Sequence, residues 1–110
     1  MGNGGSVMAN WVRVCSTSDC SPGEATEWVV GDRVIALVHV DQRWVALDGI
    51  CPHQGGPLGK GRVSGTVLTC PWHGWQFDVT TGRHQSIPSL IQPTLPVKVE
   101  GSDVFVDLDA

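Results

Sequence analysis

The chain lacks any apolar run near the roughly 18 residues that a membrane helix needs, so no helical span is expected. It also lacks a basic excess. Lys and Arg number 7 against 11 Asp and Glu, the formal charge is −4, and no positive stripe is available to neutralise phosphates. Nucleic acid is therefore not an expected partner. No segment keeps helical periodicity over three turns, and neither a nucleophile–base pair nor a nucleotide-binding glycine motif stands out. The opening MGNGGSVMAN has no basic n-region and no apolar h-region. Residues 1–10 are expected to be a disordered lead, and the cytoplasm is the expected location.

What is there fits one ordinary globular domain. The chain has 110 residues, 41% hydrophobic and 16% charged, enough for a modest core and too few for two. Gly, Pro and Asp cut it into short β-rich runs. Strands are predicted over Trp11–Val14, Glu27–Val30, Arg33–Val40 and Arg43–Leu47, with turns at Gly31–Asp32 and Asp41–Gln42. The continuous, β-branched run of Arg33–Val40 suits a strand buried on both faces. Further strands are predicted over Val63–Thr69 and Phe77–Val79, and Thr80–Gly82 turns the chain back. Residues 85–96 hold three prolines and read as an extended loop, and Val97–Glu100 with Val104–Leu108 as a closing hairpin. The expected class is all-β, a sandwich or small barrel of antiparallel strands spanning 11–110. A loop-rich lobe, about 48–78, is inserted in it.

Residues 48–61, DGICPHQGGPLGKG, carry five glycines and two prolines and cannot form a strand. They open a constellation: Cys51-Pro52-His53, sixteen residues, then Cys70-Pro71-Trp72-His73. Two Cys and two His suit tetrahedral zinc or an iron–sulfur cluster with mixed ligands. Structural zinc sites usually space paired ligands two to four residues apart, so the single residue between Cys51 and His53 disfavours zinc. Cys15 and Cys20 have no such spacing. Cys15 reads as a core residue beside the first strand, and whether the two pair is left open.

The segment CPHQGGPLGKGRVSGTVLTCPWHGWQFDVTTG resembles the cluster-binding region of the Rieske [2Fe–2S] family, and is similar to the soluble Rieske-type ferredoxins. The likeness extends over most of residues 11–108. It implies a Rieske-type fold and one [2Fe–2S] cluster, with Cys51 and Cys70 on one iron and His53 and His73 on the other. By formal charge the oxidised core with two thiolates and neutral imidazoles is neutral, and reduction adds one negative charge. The histidine-bound iron is poorer in electron density, so the electron settles there. The histidines are expected to face solvent, as the edge where partners dock. Gly55, Gly56 and Gly74 are candidates for close backbone approach and N–H donation to sulfur. The alternative for them is that they merely permit turns.

High-potential family members carry an extra cysteine in each cluster loop, and a Ser and a Tyr after the last histidine. This chain has no cysteine in Gln54–Leu58, Trp72 between Cys70 and His73, and Trp75 and Phe77 at the hydroxyl positions. Fewer donors to sulfur predict the low end of the Rieske range, about −150 mV and not +300 mV. Pro88, with Pro93 as rival, is the candidate for a loop covering the cluster. Trp72 and Trp75 screen the cluster, mark the docking edge or simply pack. His39 is expected to be structural and His84 solvated. The implied function is a one-electron carrier without a catalytic site, between a flavin-dependent reductase and a terminal oxygenase. The alternatives are the small subunit of an assimilatory NADH-dependent nitrite reductase and a zinc-stabilised binding module.

Overall fold

The structure, a computed structural model, describes residues 9–40, 42–52 and 54–109. His53, Asp41 and most of the expected N-terminal lead lie outside the described residues. Ten strands follow in chain order: β1 (Trp11–Ser16), β2 (Glu24–Val30), β3 (Arg33–Val40), β4 (Arg43–Asp48), β5 (Arg62–Ser64), β6 (Val67–Thr69), β7 (Gln76–Asp78), β8 (Thr94–Leu95), β9 (Val97–Glu100) and β10 (Asp103–Asp107). Thr17–Asp19 and Leu58–Lys60 form short 3₁₀ turns, and no α-helix occurs among the described residues.

The strands make three antiparallel sheets, ordered β1-β10-β9, β2-β3-β4-β8 and β5-β6-β7. β3 explains their arrangement. Side chains of a strand alternate between faces. Ile35 and Leu37 join one buried cluster with Cys15, Cys20, Val104 and Val106. Ala36, Val38 and Val40 join another with Leu58, Leu68, Phe77, Val79, Cys51 and Cys70. The middle sheet is thus covered on one side by the sheet of the chain termini and on the other by the cysteine-bearing layer. That is why the interior of the strand, Val34–Val38, is apolar throughout. Fully burying a side chain such as Leu68 or Phe77 stabilises the fold by about 1.5–3 kcal/mol each.

Several boundaries differ from expectation. β2 begins at Glu24, three residues early, because its register with β3 runs on to Glu24↔His39. The run predicted over Val63–Thr69 is a hairpin of β5 and β6, broken where Gly65 adopts φ 61°. The proline-rich 85–96 stretch is not loop throughout: Thr94 and Leu95 pair with Leu47 and Ala46 of β4. Asn10, within the expected lead, is held by its N–H to Asp107 Oδ1 at 2.9 Å. Gln42 has φ 62°, as a tight turn between β3 and β4 requires.

Candidate functional site

Cys51 follows β4, Cys70 follows β6, and the two loops they open are built alike. Each is closed by the cysteine N–H donating to the carbonyl five residues on: Cys51 to Gly56 at 2.8 Å, Cys70 to Trp75 at 2.8 Å. Each has proline after the cysteine and two consecutive left-handed residues at the third and fourth positions. These are Gln54 and Gly55 (φ 63° and 74°) and His73 and Gly74 (φ 64° and 73°). A left-handed conformation is uncommon outside glycine and costs free energy, so a tight chain reversal imposes it in both loops. The reversal carries Gln54 and His73 to equivalent places, and their side chains meet with His73 Nε2 2.7 Å from Gln54 Oε1.

Below this contact lie the sulfurs. Cys51 and Cys70 are each 1% exposed and belong to one buried cluster, whereas His73 is exposed. Gly56 lies against the second loop so closely that a Cβ there would stand 2.7 Å from Cys70 Sγ and 3.0 Å from Trp72 Cβ. Gly56 thus lies against a cysteine sulfur where only a residue without Cβ fits. Gly55 differs: its N–H is committed to the Cys51 carbonyl at 3.0 Å. At Gly74 a Cβ would meet open space, so its positive φ and not crowding favours glycine. Trp72 (49% exposed) and Ile50 (51%) flank the rim, and residues 49–57 and 70–77 carry no Asp, Glu, Lys or Arg. A cleft of about 350 Å³ opens beside Cys70, lined by Lys60, Gly61, Arg62, Thr69, Pro71 and Gly74.

Behind the loops are two residues that motif reading missed. Gln92, 3% exposed, donates its amide Nε2–H groups to the carbonyls of Asp48 (2.7 Å) and Ile50 (2.8 Å), the chain leading into Cys51. Pro88 is exposed, and Arg83 Nη1 donates to its carbonyl at 3.5 Å, while Gln92 ties this segment to the first cysteine loop. His84 corrects an expectation: it is not solvated but 7% exposed. Its ring stands edge-on to Trp75 (centroids 4.7 Å apart) and Phe77 (5.2 Å), and its Nδ1 accepts the N–H groups of Ser86 and Ile87, both at 3.0 Å. Nothing local in the sequence signals either role, since both depend on contacts across the fold. His39 is structural as expected, stacked on Trp44 with centroids 3.9 Å apart and Nδ1 3.1 Å from the Cys20 carbonyl. No disulfide joins any of the four cysteines, and Cys15 is buried in the core as expected.

Among the described residues, which omit His53, no three His, Cys, Asp or Glu side chains converge on a single-ion site. Two buried thiols on facing loops, a glycine with no Cβ over one of them and an exposed imidazole fit a larger group that is anchored at sulfur and open at nitrogen. The Rieske [2Fe–2S] domain model matches residues 10–100, and the chain belongs to that family. It carries one Rieske [2Fe–2S] cluster and acts as an electron carrier. It is 37% identical over 97 residues to the ferredoxin component of the alkene monooxygenase system of Xanthobacter autotrophicus, covering 87% of this chain and 80% of that protein. A chain in a solved complex of oxygenase and ferredoxin in carbazole 1,9a-dioxygenase is 31% identical, with TM-score 0.78, covering 88% of this chain and 92% of that one. A nitrite reductase small subunit superposes with TM-score 0.78 over 88% of this chain and 97% of its own, but at 17% identity it shares the fold alone. The zinc reading gives way to the cluster.

When bound, the cluster holds and releases one electron. The chain's own groups do the rest. Gln54 Oε1 can only accept, so the proton of a neutral His73 sits on Nε2 and the lone pair on Nδ1. The buried layer of Leu68, Phe77 and Val79 keeps water from the sulfur side. No helix among the described residues is long and apolar enough to cross a membrane.

Proposed function

We propose that Cys51 and Cys70 bind one iron of the cluster, and that His53 and His73 bind the other. The protein then passes electrons singly from a flavin-dependent reductase to a terminal oxygenase. The matched pair of cysteine loops carries this reading: equal closure, equal left-handed turns and buried sulfurs beside an exposed His73. The relatives support the partner, being a ferredoxin component of a monooxygenase system and a chain from an oxygenase–ferredoxin complex. Residues 11–110 form one Rieske domain with its cluster lobe at about 48–78. It works in the cytoplasm, where four cysteines without a disulfide suit a reducing milieu. The protein has no catalytic site of its own.

The test is reconstitution. The iron-loaded protein, red-brown, takes one electron from a flavin reductase and NADH, and gives it up to an added oxygenase. Without the oxygenase it consumes no oxygen beyond the reductase background. Cys70→Ser and His73→Ala should each lose the visible bands. Intact spectra in both variants would show that the ligands are misassigned, and turnover by the protein alone would end the carrier reading.

A further inference from the structure

His84 is more than a packed side chain. Two backbone N–H groups, from Ser86 and Ile87, point at its Nδ1. That nitrogen is therefore an acceptor, and the proton of the neutral ring sits on Nε2. Nε2 is buried and has no hydrogen-bond partner among the described residues. Buried donors are nearly always paired, and leaving one unpaired costs about 1–3 kcal/mol. A histidine held in one tautomer with its donor unpaired is built to face an acceptor that the described residues do not supply.

Its place says which acceptor. His84 forms a β-bridge with Phe77, and Phe77 shares one buried cluster with Cys51 and Cys70. Its ring also meets Trp75, whose carbonyl takes the Cys70 N–H. Trp75 and Phe77 bring no hydroxyl to this layer. The group that supplies acceptors here is the cluster with its sulfides and thiolates. Donors to those sulfurs stabilise added negative charge and raise the reduction potential.

We propose that His84 is a tuning residue for electron transfer, its Nε2–H donating to a sulfur of the bound cluster. This rests on the cluster assignment above. The two fail differently: without a cluster there is no potential to measure, whereas a cluster indifferent to His84 overturns only this inference.

Two substitutions separate the ring nitrogens. His84→Asn keeps an oxygen near the place of Nδ1, preserving the acceptor for Ser86 and Ile87, and loses the distant donor. His84→Gln keeps an amide N–H near the place of Nε2 and loses the local acceptor. Voltammetry should find H84N shifted to more negative potential by about a tenfold weaker hold on the electron, which is about 59 mV for one electron. H84Q should stay near the parent even if it melts earlier. An unmoved H84N, or an H84Q that falls as far as H84N, overturns the proposal. The unsubstituted protein gives a second readout, independent of folding. With ¹⁵N-labelled histidine, pulsed electron–nuclear double resonance of the reduced protein should show two strongly coupled ligand nitrogens, the two weakly coupled remote nitrogens of the same rings, and one further weakly coupled nitrogen. The absence of that further nitrogen also overturns the proposal.

Discussion

His73 Nε2 lies 2.7 Å from Gln54 Oε1, so the tips of the two cysteine loops are joined by side chains that occupy the same position in each loop. The contact sets the orientation of the exposed imidazole and keeps the proton of its neutral form on Nε2.

Gln54→Leu should therefore still assemble a cluster, but release it several-fold faster to a chelator, because the His73 ring loses its outer anchor. The decay of the visible absorbance measures this. A decay rate equal to the parent's would show that the contact does not hold the ring.

The two glycines near the sulfurs should respond differently to alanine. In Gly56→Ala the new methyl meets Cys70 Sγ and the Trp72 side chain, and overpacking of this kind costs about 1–3 kcal/mol. The iron content of the purified protein should fall with it. Gly74→Ala meets no atom and costs only the left-handed strain, about 1–2 kcal/mol, with iron content kept. Thermal melts and iron analysis of the pair decide the point, and equal iron loss would contradict it.

Gln92→Leu should lower the melting temperature by the cost of leaving the Asp48 and Ile50 carbonyls without their donor, about 1–3 kcal/mol. Gln92→Glu should be worse, since a carboxylate would face two carbonyls. A melt unchanged in both variants would mean that water replaces the amide at no cost.

Burial pushes the Cys15 thiol up to about 11, with Asp19 and Cys20 adding to the rise, and burial raises Cys20 as well. A raised folded pKa means stability is in full below the unfolded value of about 9. As pH climbs from about 9 to about 11 the unfolded chain sheds its protons first, and stability falls. Denaturant melts at pH 8 and pH 10.5, roughly spanning that window, should show the loss. Cys15→Ala should reduce it, and an equal loss in that variant would assign the effect to other groups.

Much of the site is local and was legible as such. The Cys51 and Cys70 motifs announce metal chemistry by residue type and spacing, and Gly74 follows from the left-handed turn of its loop, whereas Gly56 is set by its contact with Cys70 and Trp72 of the facing loop. Gln54 could have been found by laying one loop on the other, since it shares the third position after cysteine with His73. His84 and Gln92 could not. The first is defined by rings at Trp75 and Phe77 and by N–H groups of its own turn, the second by carbonyls 44 and 42 residues away.

The amino-acid order alone determined the β class, the double-sided burial of Arg33–Val40 and the positions of the cluster motifs. These depend on side-chain alternation and ligand chemistry, which are properties of neighbouring residues. Only the tertiary structure decided that Val63–Thr69 folds back on itself, that Thr94 and Leu95 add an edge to β4, and that His84 lies inside. Those outcomes turn on which surfaces find partners, and partners distant in the chain are brought together only by the closing of the whole fold.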